Sequence, residues 1–353
     1  MNTRRAISAN LILFFLVAIL GAFPQAGYPQ GPTIVVLSQA GSLQKIMEEE
    51  VIPQFEREFG IKVSLIPGVA QANLARVIAQ RNRPETDVAI VNDIALVQGK
   101  QQGVWEKFDP AIITNLKNVY DVAKDADGYG VAQGITATVI GYNARIFEQL
   151  KWTPPMSWLD LFDPKYKGRV VPHAITNGFG VTFLVALNQI LGGTTSDMAP
   201  LWKRLPDLNK NVLIWARTAS DFDSVFSRGT AWIGENGSTR INVLIDQGLP
   251  LKVVYPKEGG IFITAQLGVV RNAPHPREAQ MFVNFLLSER IQKRLSETQY
   301  YGPVNVRVEL SPQVAARVPY GVRQVRSLKL LDWDAIAKNY DQWITSFTRI
   351  ISQ

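Results

Sequence analysis

The sequence predicts an α/β protein of two lobes, each an open sheet covered by helices, with a cleft between them. Three observations lead there. Short apolar, β-branched runs alternate with amphipathic helical patterns in the order strand, helix, strand, helix, which is how sheets flanked by helices are built. The alternation occurs twice, and a long extended run separates the two sets. The chain has 353 residues and is 46% hydrophobic, enough material for two cores.

Residues 33–37, TIVVL, read as a buried strand. SQAGS follows, then a helix with Leu43, Ile46, Met47, Val51, Phe55 and Phe59 on one side, with Ser42 as N-cap and Gly60 as stop. IKVSLIP from Ile61 is the second strand, 70–80 a helix, DVAIV the third strand and 94–102 a helix. ITATVIGYN, residues 135–143, crosses into the second set. That set reads RVVP strand, helix 178–191, NVLIW strand, helix around 221–226, TAWIG strand, and a helix ending at Asp246. LKVVYP and IFITAQLGVV are extended again, and the latter is long enough to re-enter the first lobe. Helices follow over 276–287 and beyond Ser288.

The closing helix spaces Trp333, Ile336, Tyr340, Trp343, Ile344, Phe347, Ile350 and Ile351 by threes and fours, a stripe for burial against a lobe. Its polar face mixes acids with bases, which argues against a membrane-surface helix. The expected division is 33–134 with 256–304 as the first lobe, 135–255 as the second, and 305–353 as a helical segment packed on both. Residues 135–143 and 253–260 are the expected hinge crossings.

The first 26 residues are read as a secretory signal peptide. Arg4 and Arg5 precede the ten-residue apolar run LILFFLVAIL, too short to span a bilayer well, and small residues follow it. An uncleaved anchor is the alternative. Loss of Arg4 and Arg5 would take the formal charge from +7 to +5, and with no long basic run this points away from nucleic acid. The absence of cysteine excludes disulfides, thiol chemistry and lipidation at an N-terminal cysteine.

Two histidines, His173 and His275, without cysteine make poor material for a metal site. No G-x-S-x-G elbow and no histidine partner set point to a nucleophile. No pair of acids is singled out for general acid–base work. Binding fits better. Ligands in open α/β sheets lie beyond the carboxyl ends of the strands, which places Ser38, Gly41 and Ser42 of SQAGS, and Asn92 with Asp93, on one side of a cleft. TNGFG opens a helix, so Asn177 and Gly178 present backbone N–H groups to an anion or polar solute. Two glycines fall short of a dinucleotide fingerprint, and a turn capped by Thr176 or Asn177 is the plain alternative. GENGS adds Glu235, Asn236 and Ser238, with Glu235 either meeting a cation or hydroxyl or capping the next helix. Thr136 and Thr264, on the crossing runs, complete the candidate set. Trp152, Trp158 and Trp202 are expected in cores, Trp232 beside the ligand, and Glu258 in a structural turn.

SWLDLFDPKYKGRVVP, YPKEGGIF, FVNFLLSERIQKRLSETQYYGPVN and the tryptophan-bearing closing helix carry a family resemblance, supported by GIKV, DVAIV and GVWEKFD. The chain resembles the periplasmic spermidine/putrescine-binding proteins and, more widely, the extracellular solute-binding proteins of ABC importers. The resemblance implies a type II periplasmic-binding-protein fold: two α/β lobes on a two-strand hinge, closing on a solute and delivering it to an inner-membrane permease. It implies a periplasmic monomer with no cofactor, no metal and no reaction of its own.

Departures bear on the solute. The polyamine pattern implies carboxylates after the TN start of the second-lobe helix, where this chain has Gly178 and Val181. It implies a tryptophan and an acid after PKEGGIF, where Ile263 and Ala265 stand, and aromatics where SQAGS stands. The tyrosine pair of iron-binding relatives is absent from GENGS. The expected solute is therefore anionic or zwitterionic, with a polyamine as the alternative. An exported enzyme and a sensor lobe for a membrane receptor are the competing classes.

Overall fold

The computed structural model describes residues 31–352, so the leader reading lies outside the described residues. The chain begins with β1 (Thr33–Gln39), α1 (Ser42–Ile46), a π-helical stretch at Met47–Val51, and α2 (Ile52–Phe59). Helix α2 ends at Gly60, whose φ of 68° closes the last turn in the left-handed region. Next come β2 (Lys62–Gly68), α3 (Ala70–Ala79), β3 (Val88–Asn92), α4 (Asp93–Gln101) and β4 (Trp105–Glu106). The long β5 (Val131–Asn143) leads to α5 (Ala144–Gln149), β6 (Val170–Val171), α6 (Gly178–Ile190), α7 (Ala199–Asn209) and α8 (Ala219–Ser227). Then follow β7 (Ile233–Gly237), α9 (Ser238–Asp246), β8 (Leu251–Val254) and β9 (Ile261–Val270). Helices α10 (Pro276–Leu286), α11 (Glu289–Gln299), α12 (Pro312–Ala315), α13 (Gly321–Ser327) and α14 (Trp333–Ile351) complete the chain.

The strands form one mixed sheet in the order β2-β1-β3-β9-β5-β7-β6, with β4 also on β9 and β8 also on β5. Strands β1, β2 and β3 are parallel, as βαβ connections require. Strand β9 runs antiparallel between β3 and β5. Along β5 the partner changes: Val131 to Thr138 pair with β9, and Thr138 to Asn143 pair with β7 and β8. Every residue of β5 and of β9 is buried, so this pair forms the middle of the molecule.

Three expectations shift. The return crossing is β9, whereas residues 253–260 form the end of β8 and a turn; the ladder needs the apolar run, and PKEGG cannot supply it. NVLIW and the Ala216 that follows it make only isolated bridges, Val212 to Val170 and Ala216 to His173, because β6 is two residues long and offers no ladder. In TAWIG the strand starts at Ile233 and runs on through Gly237, so Trp232 precedes it. Helix α7 is an addition to the expected elements; Pro200 and Pro206 disguise it, the first being tolerated in its opening turn.

Apolar packing divides with the sheet. On one side of β1 and β3, Leu74 and Val77 of α3 and Leu96 of α4 cover Leu37, Ala89 and Val91. On the other, Met47, Phe55, Phe282, Phe285 and Leu295 cover Ile34, Val36 and Ile90. A separate core joins α6, α7 and α14 to β6 and β7 through Val181, Phe183, Leu205, Trp343 and Phe347. Each such fully buried side chain contributes about 1.5–3 kcal/mol.

One buried side chain helps tie the segment after α11 to β5 and α10. Gln292, buried in α11, donates from Nε2 to the carbonyls of Gln133 (2.8 Å) and Leu286 (2.9 Å), and its Oε1 accepts from the Val304 amide at 2.8 Å. Gln292→Leu leaves three buried backbone groups unpaired, and at about 1–3 kcal/mol each the loss should be about 3 kcal/mol or more. Urea unfolding of the variant against wild type measures it.

Candidate functional site

Close approaches, more than any single reactive group, define the candidate site. Asn92 closes β3 and caps α4, its Oδ1 accepting from the Ala95 amide at 2.9 Å. Across from it α6 starts at Gly178, where a Cβ would lie 3.5 Å from Asn92 Nδ2 and 3.3 Å from the Ile263 methyl. Ile263 is paired in register with Thr136. The Thr136 hydroxyl lies 3.2 Å from Ser238 Oγ and 3.3 Å from Thr239 Oγ1, at the start of α9. Gly237 has no room for a side chain, because a Cβ there would sit 2.5 Å from the Phe179 ring. Five chain segments thus meet: the starts of α4, α6 and α9, and the two long strands.

The wall continues to Tyr301. Asn92, Ala265 and Gly134 stand opposite one another across β3, β9 and β5. Tyr301 lies against Gly134, where a Cβ would come within 2.9 Å of the ring. The next residue, Gly302, exchanges two backbone hydrogen bonds of 2.7 Å with Ile135, which fixes the tyrosine beside β5. Burial pushes the Tyr301 phenol up to about 12, so it remains a donor.

Of the predicted residues, Asn92, Thr136, Gly178 and Ser238 come together in this wall. Asn177 is the N-cap of α6: it accepts from the Phe179 amide at 3.0 Å and donates to the Arg217 carbonyl at 3.2 Å. Gly41, with φ at 100°, takes the N-cap position expected of Ser42, which becomes the first helical residue of α1. Ser38 is fully buried, and its carbonyl accepts from Asn73 at 3.0 Å. Asn236 is also buried, and its Nδ2 has no partner among the described residues.

Both predicted acids face inward to internal partners. Glu235 has no exposed surface. Its Oε2 accepts from the His173 amide at 2.6 Å, and its Oε1 lies 3.1 Å from His173 Nδ1. The pair ties the end of β6 to β7, and the His173 ring stacks on Phe222. Asp93 is equally engaged. It accepts from the Thr264 amide (2.9 Å), the Thr264 hydroxyl (2.8 Å) and Gln266 Nε2 (2.7 Å), which also removes Thr264 from the candidate wall. Loss of hydration raises the Asp93 carboxyl above its ordinary range, with the Gln266 and Thr264 hydrogen bonds opposing. Glu258 is structural: it accepts from Ser157 and Trp158. Trp232 packs on Trp152 and Arg169 at the far end of β7 from Ser238, so it does not border this wall.

Sequence reasoning missed Tyr301, Phe179 and Thr239. For Thr239 the signal was present, next to Ser238. Tyr301 gave none, because its place depends on Gly302 pairing with a strand far away in the chain. Among the described residues, no three His, Asp or Glu side chains group to hold a metal ion. Two surface cavities of about 430 and 30 Å³ share no residue with the wall.

Known proteins agree with this architecture. Residues 50–319 match the model of a family described as bacterial extracellular solute-binding protein. The spermidine/putrescine-binding periplasmic protein of Escherichia coli is 28% identical over 282 residues, covering 75% of this chain and 77% of that one. The gamma-aminobutyric acid-binding protein of Pseudomonas aeruginosa is 24% identical over 311 residues, covering 83% of each. A crystal structure of an ABC transporter from Clostridium perfringens superposes with a TM-score of 0.75 at 23% identity, over 90% of this chain and 99% of that one. The fold is that of periplasmic binding proteins.

The state of Asp93 gives a pH signature. Its folded-state pKa lies above the ordinary 3.8, so between those values the native state holds more protons than the unfolded chain. Stability from this group is therefore full below pH 3.8 and lost as pH rises through the folded value. Asp93→Asn should gain on wild type as pH rises from 4 toward 7 (roughly, by the same linkage), as read by the difference in melting temperature across that range.

Proposed function

The chain belongs to the bacterial extracellular solute-binding protein family, and from that premise we propose that it captures an anionic or zwitterionic solute between its lobes. It is a transport protein that binds its solute and does not transform it. The observation that carries the solute class is the engagement of both candidate carboxylates, Glu235 by His173 and Asp93 by Thr264 and Gln266. A polyamine brings several ammonium groups, and a buried charge without a paired carboxylate costs several kcal/mol, about 3–5 where a partner has been removed. What the wall offers instead are the hydroxyls of Thr136, Ser238, Thr239 and Tyr301 and the N-terminal ends of α4, α6 and α9, where N–H groups and the helix dipole favour negative charge. A zwitterion such as γ-aminobutyrate, named for one relative, fits this chemistry better than spermidine, named for another.

Closure would turn on β5 and β9, the strands common to both lobes, and bring Asn92 and Gly178 to the contact seen here. An ABC permease is the partner that receives the solute, in keeping with the ABC-transporter neighbour. The periplasm is the place of work, in keeping with the periplasmic relative and with the absence, among the described residues, of any helix long and apolar enough to cross a membrane. Cleavage of the leader and a monomeric state belong to the same reading. The mild net charge gives nucleic acid no part in it.

Thermal-shift measurement across organic acids, phosphonates, ω-amino acids, putrescine and spermidine tests the solute class. A carboxylate or phosphonate at 100 times its Kd should add about 2.7 kcal/mol, a rise of several degrees. Stabilisation by polyamines alone would overturn the reading. Gly178→Phe places a ring where a Cβ alone would lie 3.3 Å from Ile263 and 3.5 Å from Asn92. It should abolish the solute-induced shift while the variant still unfolds as a single cooperative unit.

A further inference from the structure

We propose that Tyr340, midway along α14, is a positioning residue for the cleft, fastening the start of α6 in the second lobe to the start of α4 in the first. This goes beyond the solute class and rests only on the reading that the lobes move about β5 and β9.

Three observations on two lobes converge on the helix that carries this residue. The buried stripe of α14, Ile336, Tyr340, Trp343 and Phe347, belongs to the core of the second lobe. In that core Ile94 is the one buried member, among the described residues, that precedes β5. Ile94 is 1% exposed and lies two residues after Asn92, the N-cap of α4; helix α14 packs directly on α4. On the other side, the Tyr340 hydroxyl donates to the Ile175 carbonyl at 3.0 Å, two residues before Asn177, the N-cap of α6. One helix thus holds, within a turn of each, both helix starts that face each other at Asn92 and Gly178.

The remaining contacts decide which lobe α14 follows. Asn339 donates to the Thr195 carbonyl at 3.5 Å, and the Phe347 ring meets Trp215 edge-on at 4.8 Å, both second-lobe partners. Helix α14 therefore moves with the second lobe, and its apolar contact with α4 is the part that hinge opening must break. Opening uncovers Ile94 and the facing stripe to water, so the helix favours closure before any solute arrives. Burial, with the neighbouring Asp341, pushes the Tyr340 phenol up to about 12, which keeps the hydroxyl a donor at neutral pH. The competing account is that α14 merely covers the second lobe and has no bearing on its angle to the first.

The cysteine-free chain makes the two accounts separable by pulsed electron paramagnetic resonance. Lys117→Cys on the first lobe and Lys203→Cys on the second, both exposed, carry spin labels in the full chain without added solute. The expected wild-type distance distribution is short and narrow. Ile94→Ala and Tyr340→Ala should each raise the open-to-closed ratio about tenfold, and Ile94→Leu should restore the wild-type distribution. Tyr340→Phe keeps the ring and loses only the bond to Ile175, which lies within the second lobe and survives opening, so it should leave the ratio near that of wild type. Unchanged distances in Ile94→Ala and Tyr340→Ala, even with lowered melting temperatures, overturn the proposal. Should Tyr340→Ala fail to fold, Ile94→Ala decides alone, since it lies on the other side of the contact. No solute enters this measurement, so its outcome stands whether or not the solute is an anion or zwitterion.

Discussion

The antiparallel pairing of β5 with β9 is the constraint on which the rest depends. Both strands are buried along their whole length, and between them they touch β3, β4, β7 and β8. A strand in that position has no free edge and no free face, so its polar side chains gain by finding partners inside the protein, although Gln133 Oε1 and Gln266 Oε1 have none among the described residues. Thr138 finds Thr182 at 2.6 Å, Thr136 finds Ser238, and Gln266 finds Asp93. These pairings place the starts of α4, α6 and α9 around the strands. The candidate wall is thus largely a consequence of keeping two long, partly polar strands buried.

The same constraint explains why acids at the strand ends are poor candidates for holding a solute. Glu235 and Asp93 sit where exposed carboxylates would welcome ammonium groups, but both lie inside the fold. A buried carboxylate needs several donors, and each has recruited a backbone amide together with a side chain. Once so engaged they shape the wall without presenting charge to it. Relatives named for a polyamine and for an amino acid are compatible with one scaffold, because a fold does not by itself fix the solute its site accepts.

Much of the architecture was legible in the sequence, for reasons that can be assigned. TIVVL, DVAIV and IFITAQLGVV are apolar and β-branched, and tertiary context had nothing to override. Gly60 and Asn177 terminate and start helices by local chemistry, as reading them in isolation suggests. The misreadings come from non-local partners. NVLIW has strand composition but meets a two-residue neighbour, so it and the Ala216 after it stay a pair of bridges. Glu235 reads as a ligand until His173, 62 residues earlier, is placed beside it. Tyr301 reads as part of a turn until Gly302 is seen paired with Ile135. Local pattern could not reveal any of these, because each depends on which segment the sheet topology brings next to it.

The closing segment shows where such dependence ends. Helix α14 was legible as an amphipathic stripe, and its burial followed from the spacing of its apolar residues. That its stripe meets Ile94 did not follow, since an apolar face states only that something covers it. The consequence is mechanical. A helix packed on one lobe adds to that lobe's stability, whereas a helix packed on two adds an energy that changes with the angle between them. On the proposal made for Tyr340, rotation about the β5–β9 pair would be biased by the contact of α14 with α4, while its contacts with Ile175 and Trp215 would hold it to the second lobe. The affinity of such a protein for its solute then depends on how much of the closed arrangement is already populated when the solute is absent, and that fraction is fixed by side chains that never touch it.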